Sequence, residues 1–472
     1  MAATATTLAS QRRSIDGYEV RRKEAAVRVS AAKHSLVVGL GATGASVARY
    51  LAARGEHVRV IDSRRDPPGL AELKADCPAA EIALETLDER WLDGASRVLL
   101  SPGLPYDLPL VTEARRRGLA VLGDIELFAL AARAPVIAVT GSNGKSTVTT
   151  MAAKMLEAQG LSAPAGGNLG PPALDLLEGG APADAYVLEI SSFQMETTES
   201  LAPLAATVLN VSPDHLDRHG TLERYAELKE KLLKSAECAV VNADDPLVAA
   251  MGARHAGAVP FSIERTLERG YSIVVRRGER WLARDREPLL RSSELSIRGR
   301  HNEANALAAL ALTAGLTKDV PAALAALRAF GGLPHRCQLV AERRGVTFVD
   351  DSKGTNVGAT LAALQGFEGP LVLIAGGLSK GQDLAPLAAG AKGKLRAAVL
   401  IGTAAPELER VLKPVCSTAR AASMDEAVAR AAVLANPGDT VLLSPACASQ
   451  DMFRDYKERG DVFARAAREL PS

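Results

Sequence analysis

The sequence predicts an α/β protein built from three parallel-sheet domains around a central cleft. Three observations carry this. The chain has 472 residues, and at roughly 100 to 200 residues per domain that is room for about three. Short aliphatic runs alternate with helical stretches along most of its length, a pattern that feeds parallel sheets rather than sandwiches. Two glycine turns, GLGATG at 39–44 and GSNGKST at 141–147, each stand between an apolar run and a helical one.

Residues 1–33 carry seven basic and three acidic side chains without the apolar centre of a secretory signal. They read as a disordered tail, with a transit peptide or a misplaced start codon as alternatives. The expected domains then run 34–125, 126–332 and 333–472. The first limit follows a composition shift at 124–134, and the second follows Gly331, Gly332 and Pro334, which interrupt a helical segment.

In the first domain the strand SLVVGL, the helix ASVARYLAARG and the strand HVRVID form a βαβ opening. GLGATG fits G-x-G-x-x-G, and Asp62 ends the following strand, which alone would suggest a Rossmann-like dinucleotide site. A glycine turn at a helix N-terminus accepts any pyrophosphate, however, that of a UDP-sugar included. RVLLSPG and AVLGDIELFAL continue the alternation.

The central domain opens with VIAVTGSNGKSTVTTMAAKML at 136–156, a strand delivered into a phosphate-binding turn and a helix. Gly141, Ser142, Asn143, Gly144 and Thr147 supply backbone N–H groups. Lys145 supplies charge for β- and γ-phosphates, and Ser146 a hydroxyl for Mg²⁺, so ATP and Mg²⁺ are the expected cofactors. Val139 occupies the position of the first glycine in the standard motif. The flanking strand and helix disfavour the plainer alternative, a structural turn with a solvated lysine. Glu189 ends the apolar run in AYVLEISSFQME, suited to holding Mg²⁺ directly or through water. NVSPDHLDRHG offers His215 beside Asp214 and Asp217. Imidazole is an unusual ligand for a hard ion, so chemistry alone leaves His215 between metal ligand and loop packing. His219 reads as a surface residue. In the third domain PLVLIAGG, AAVLIG and DTVLLSPA are strands between helices, a second Rossmann-like unit.

Composition excludes several classes. Lys plus Arg number 56 against 55 Asp plus Glu, which gives no electrostatic reason for a nucleic acid or membrane partner. Five cysteines at irregular spacing fit neither a disulfide framework nor a CxxC metal site. No run approaches the ~18 apolar residues of a membrane span. A cytoplasmic protein acting on small molecules, as a monomer, is the expectation.

The motifs, in order, resemble the Mur ligase family, and within it the D-glutamate-adding members. They are GLGATG, IDSRRDPPGL, LSPGLP, GDIELF, TGSNGKST, GGNLG, LEISSFQ, DHLDRH, GRHNEANALAALA, GLPHR, DDSKGTN, IAGGLSKG and LSPACASQDMF, and they reach from residue 36 or so to the C-terminus. The resemblance implies ATP-driven ligation of D-glutamate to UDP-N-acetylmuramoyl-L-alanine through an acyl phosphate, releasing ADP and phosphate. It implies a P-loop role for Lys145 and Ser146, magnesium ligation by Glu189 and His215, and a place for Asn168 near phosphoryl transfer. Lys229 matches a lysine that the family carbamylates, whereas by itself it reads as a solvated helix lysine. Asn302, Asn305, Arg336 and Asp351 match nucleotide contacts, whose plainer readings are helix capping and a surface ion pair. Thr43, Ser63, Arg64, Ser101 and Ser191 match contacts to the UDP-substrate, although Arg64 could equally pair with Asp62 or Asp66 on the surface. Lys353, Thr355, Lys380, Ser449 and the backbone of Tyr456 match the amino-acid pocket, with Tyr456 where Phe is expected. The absence of a DNPR-type motif argues against a diaminopimelate-adding member. The rival readings are a folylpolyglutamate-type ligase, a nicotinamide-dependent oxidoreductase and a non-catalytic nucleotide switch. Because the motifs are split across GGLPHR, the third domain is expected to close on the other two.

Overall fold

The computed structural model describes residues 34–178, 182–297, 299–367 and 369–471, so the tail expected at 1–33 lies outside the described residues. Three sheets follow one another along the chain. The first has five parallel strands in the order Glu81–Leu84, Val58–Asp62, His34–Val38, Ala95–Leu100, Ala120–Leu122. The order reverses at His34–Val38, and in open parallel sheets such a reversal marks the place, beyond the C-terminal strand ends, where ligands bind. The turn after His34–Val38 enters the helix Ala42–Ala52. Gly44 has to be glycine, because a Cβ there would run into the carbonyl of Gly39.

The central sheet has nine strands. Its core is parallel, with Val136–Thr140 between Tyr186–Glu189 and Ala205–Val208. Every residue of Val136–Thr140 is buried, as its unbroken apolar run requires of a strand covered on both faces. One edge departs from the expected parallel pattern: Tyr271–Arg276, Glu279–Arg284 and Glu287–Arg291 form two antiparallel hairpins. The helices Lys145–Glu157 and Arg300–Thr313 pack together in the aliphatic core beside this sheet.

In the third sheet, Val346–Asp350, Thr440–Leu443, Leu371–Gly376, Leu395–Ile401 and Ser417–Arg420 are parallel, and Gln338–Arg343 adds an antiparallel edge. The helix Asp124–Ala131 joins the first two units. Its Ile125 and Phe128 are fully buried in a cluster that draws Val37 and Val60 from one sheet and Val136 and Leu188 from the next. Phe128 meets Tyr186 edge to face with ring centroids 5.1 Å apart. That shared core ties the first domain to the central one. Among the described residues no helix is long and apolar enough to cross a membrane.

Candidate active site

The site begins at the turn after Val136–Thr140. The strand runs on through Val139, which explains why no glycine stands there. The turn starts at Gly141, with φ +149°, and ends at Gly144, with φ +84°. A Cβ on Gly144 would come within 2.7 Å of Asn305 Oδ1, so only glycine allows the helix Arg300–Thr313 to approach the turn so closely. Lys145 Nζ donates to the carbonyls of Gly141 at 2.8 Å and Ser142 at 2.9 Å. Burial pushes this amine below its ordinary value, against the pull of Glu189 and Asp214. Ser142 Oγ accepts from Ser212 N at 2.9 Å and tethers the turn to the loop that carries His215.

Glu189 is 1% exposed at the end of its strand. Its Oε1 accepts from Asn168 Nδ2 at 2.5 Å, while Oε2 is buried with no hydrogen-bond partner among the described residues. Burial raises this carboxyl, but Lys145, Ser146, Asn168 and Arg336 together hold it below its ordinary value. It is therefore ionised and half satisfied, which is what a cation ligand would be. His215 has left-handed backbone, φ 54° and ψ 32°, and lies edge-on to Phe193 at 4.8 Å. Burial lowers its imidazole to about 4, leaving it neutral near pH 7 and able to ligate. No group of three or more His, Cys, Asp or Glu sized for a metal exists among the described residues. Mg²⁺ bound mainly through substrate phosphates and water needs only one or two protein carboxylates, so this donor set fits it.

Two expectations are corrected. Lys229 is not solvated but 1% exposed. Its Nζ donates to Gly141 O at 3.0 Å and lies 4.3 Å from the centroid of the Tyr225 ring. Among the described residues no carboxylate pairs with it, and burial, with Lys145 adding repulsion, pushes its amine well below the ordinary lysine value against the pull of Asp214 and Glu189. His219 is not a surface residue. Its side chain is 1% exposed, its Nε2 lies 3.0 Å from Ser192 Oγ, and it stacks on Tyr225. An aromatic nest of Phe193, His219 and Tyr225 claims the ring that the polar context DRHG had suggested was exposed.

A cavity of 360 Å³ opens beside the turn, lined by Gly144, Thr147, Asn302, Asn305, Arg336 and Asp351. Asn305 Nδ2 donates to Asn302 Oδ1 at 3.1 Å, and Arg336 reaches across from the third domain to donate to Ser146 Oγ at 3.0 Å. Asp351 accepts from Ser444 Oγ at 2.8 Å and Cys337 N at 3.3 Å. Burial pushes its carboxyl up to about 6 against those hydrogen bonds and Arg336. A second cavity, of 210 Å³, collects Lys145, Asn168, Glu189 and His215 from the central domain. Lys353, Thr355, Lys380, Ser449 and Tyr456 face them from the third. Ser449 Oγ is buried without a partner among the described residues, Lys380 Nζ is 3.8 Å from Asp214 Oδ1, and Lys353 Nζ lies 3.9 Å from the Tyr456 ring centroid. The Tyr456 carbonyl already accepts from Ser352 Oγ at 2.8 Å.

The loops of this pocket share a brace that sequence reading missed. Arg459 is 1% exposed and has no hydrogen bond to a carboxylate. It donates to Ser352 Oγ at 3.0 Å, Ser352 O at 2.8 Å, Cys447 O at 3.1 Å and Gly376 O at 3.5 Å. Those partners belong to the three loops that carry Lys353 and Thr355, Ser449, and Lys380. Asn356 and Gln194 were missed as well. DDSKGTN contained the first, but its partners Asp214 and Asn143 lie more than 140 residues away. LEISSFQ contained the second, whose amide links Asp124 to Ser191.

Thr43, Ser63, Arg64 and Ser101 stand at the C-terminal edge of the first sheet and line neither cavity. Arg64 pairs with Asp62, with Nε to Oδ1 at 2.9 Å and Nη2 to Oδ2 at 2.7 Å, and Leu40 N donates to Asp62 Oδ2 at 2.7 Å. The carboxylate that a nicotinamide ribose would need is thus occupied, which removes the main support for the oxidoreductase reading. Ser191 also lies outside both cavities and caps the helix Ser192–Met195 in a reciprocal pair with Gln194.

Models of three families match the chain. They are the Mur ligase MurD-like N-terminal domain at residues 33–123, the Mur ligase middle domain at 139–313 and the Mur ligase glutamate ligase domain at 335–447. The chain is 49% identical over 440 residues to a UDP-N-acetylmuramoylalanine--D-glutamate ligase of Nitrosococcus oceani, covering 93% of this chain and 97% of that protein. It is 46% identical over 439 residues to the protein of the same name in Pseudomonas aeruginosa, covering 92% and 98%. The fold is similar to that of a UDP-N-acetylmuramate-alanine ligase of Thermotoga maritima, with TM-score 0.61 and 21% identity over 92% of this chain and 99% of that one. On this evidence the chain belongs to the Mur ligase family, whose members are ATP-dependent enzymes that form amide bonds.

Proposed function

We propose that the enzyme joins D-glutamate to the carboxylate of UDP-N-acetylmuramoyl-L-alanine, using ATP to make an acyl phosphate and releasing ADP and phosphate. The observation that carries this is the junction of the two cavities: Asn143, Arg336 and Lys353 line both. A phosphoryl group passing from a nucleotide in one to a carboxylate in the other would travel between Lys145, Arg336 and Lys353. A carboxylate repels nucleophiles, and phosphorylation turns its oxygen into a leaving group that a neutral amine can displace. Positive groups fixed along that path stabilise the charge of the transferring phosphoryl without reorganising. Burial and Arg336 lower the Lys353 amine to about 8, so it stays largely protonated near pH 7.

In this reading Ser146, Glu189 and His215 hold Mg²⁺, which when bound offsets phosphate charge, with Lys229 beside them as a carbamate. Asn302, Asn305 and Asp351 bind the nucleoside, Asn168 orients the reacting carboxylate, and Thr43, Ser63, Arg64, Ser101 and Ser191 hold the UDP-substrate. Arg64 would have to exchange Asp62 for the ligand. Thr355, Lys380, Ser449 and the Tyr456 backbone receive the amino acid, whose two carboxylates call for cations and hydroxyl donors. Domains at 34–125, 126–332 and 333–472 divide these tasks in a cytoplasmic monomer. Both relatives named above carry the corresponding name, which supports D-glutamate over other amino acids.

The test is phosphate release with Mg²⁺, ATP and UDP-N-acetylmuramoyl-L-alanine, comparing D-glutamate with L-glutamate, L-lysine and diaminopimelate. Turnover confined to D-glutamate is expected. Equal turnover with another amino acid would overturn the assignment of the pocket.

A further inference from the structure

The third domain touches the phosphate-binding turn through Arg336, which donates to Ser146 Oγ, and through a side-chain amide, that of Asn356, whose hydrogen-bonding capacity is used up. Asn356 is 3% exposed and stands at the N-cap of the helix Val357–Gly366. Its Oδ1 accepts from Ala359 N at 2.8 Å, as a cap should, and from Asn143 Nδ2 at 3.2 Å. Its Nδ2 donates to Asn143 Oδ1 at 3.1 Å and to Asp214 Oδ2 at 3.1 Å. A carboxamide has two donor hydrogens and two acceptor lone pairs, and all four are engaged. The orientation is fixed by chemistry, because Ala359 N can only donate and the Asp214 carboxylate can only accept.

Each partner belongs to a different part of the site. Asn143 is in the turn and is anchored from behind by Asn210, which accepts from Asn143 N at 2.8 Å and donates to Asn143 O at 3.1 Å. Asp214 precedes His215 and faces Lys380 at 3.8 Å. The next residue, Val357, donates its N–H to Gln382 Oε1 at 3.1 Å, which ties the cap to the loop bearing Lys380. Gly358 allows the approach, since a Cβ there would meet Ser212 Oγ at 2.9 Å.

We propose that Asn356 is a positioning residue that latches the third domain onto Asn143 and Asp214, so that Lys353, Thr355 and Lys380 are seated opposite Lys145. It touches no reacting atom in this account. The inference rests on the ligase reading of the two cavities and deepens it, by naming a contact through which the nucleotide turn and the amino-acid pocket are held in register.

The experiment uses the full chain with Asn356→Ser and Asn356→Asp. Serine is as good an N-cap as asparagine, so the first variant keeps the helix end and loses both donors. Aspartate keeps the shape and sets an acceptor against the Asp214 carboxylate. Expected for Asn356→Ser are an unchanged melting temperature and ADP affinity within about twofold of the parent. Its kcat should fall roughly 10- to 100-fold, as for loss of two buried hydrogen bonds, one of them to a charged group. Asn356→Asp should lose more. Small-angle scattering with Mg²⁺ and a non-hydrolysable ATP analogue should show less compaction in both variants than in the parent. Asn143→Ala combined with Asn356→Ser should be little worse than Asn356→Ser alone, because the two side chains act as one unit. A parent enzyme active with D-glutamate whose Asn356→Ser variant matches it in kcat and compaction would overturn the latch alone. A parent inactive with D-glutamate would overturn the functional reading, and the scattering comparison would still decide the latch.

Discussion

Replacing Asp351 by asparagine should stabilise the protein near neutral pH and weaken its hold on nucleotide. The Asp351 carboxyl is pushed from 3.8 up to about 6, chiefly by burial. Between those two pH values the folded chain keeps a proton that the unfolded chain has lost, so stability falls as pH rises through the window, and the cost is complete above about 6. At ~1.36 kcal/mol per pH unit, the gap sets a ceiling of about 3 kcal/mol. Asparagine fits the same contacts: its oxygen can accept from Cys337 N, and its amide can donate to Ser444 Oγ. A gain of about 1–3 kcal/mol should raise the melting temperature of the unit holding Asp351 by up to ~10 °C at pH 8. The gain should shrink to about a third by pH 4.5 and vanish as the pH falls below 3.8, where the carboxyl is neutral in the folded and the unfolded chain alike. Calorimetric melts of parent and Asp351→Asn across that range measure this directly. An increase at pH 4.5 equal to that at pH 8, or destabilisation at pH 8, would refute the reasoning. In parallel, ADP binding by the parent should strengthen as pH rises through about 6, and that dependence should be lost in the variant.

Two other outcomes follow from buried groups in the site. Lys229→Met should abolish phosphate release yet melt above the uncarbamylated parent at pH 7, because it removes a buried amine with which no carboxylate among the described residues pairs. The advantage should fade as pH rises toward the ordinary lysine value, since the parent's penalty disappears there. Melting below the parent at pH 7 would contradict it. Ser449→Ala deletes a buried hydroxyl that has no partner, so stability should hold or rise by about 1 kcal/mol. The KM for D-glutamate should nevertheless rise roughly tenfold, and steady-state kinetics with an unchanged KM would separate Ser449 from the amino-acid pocket.

The parallel strands and the phosphate-binding turn were legible because each is a local pattern: an aliphatic run, glycines and a helix in sequence. The placement of Glu189 at the end of an apolar run was legible, and so was that of His215 in the loop after the next one, though chemistry alone left the role of the histidine open. Lys229 was misread although a signal existed. Tyr225, Leu228, Leu232 and Leu233 repeat at helical spacing around it, and all are buried, so the lysine stands inside the apolar stripe. His219 was hidden because its nest is assembled from Phe193 and Tyr225, neither of them a sequence neighbour. The hairpins at Tyr271–Arg291 escaped because charged residues mask their two-residue alternation. Asn356 could not be foreseen, since its bonds to Asp214 and Asn143 span 142 and 213 residues.

The Arg459 brace has a consequence for how such an enzyme can change. Burial lowers its guanidinium only to about 10, so it remains a cation at any physiological pH. Its partners are three main-chain carbonyls and one small hydroxyl. A clasp that grips the backbone is indifferent to the side chains displayed beyond it. Under the proposed function, the side chains at positions 353, 355, 380 and 449 can therefore be exchanged one at a time while the loops that present them keep their spacing. Selectivity for the incoming amino acid becomes a trait that can drift across lineages without the pocket first having to be rebuilt.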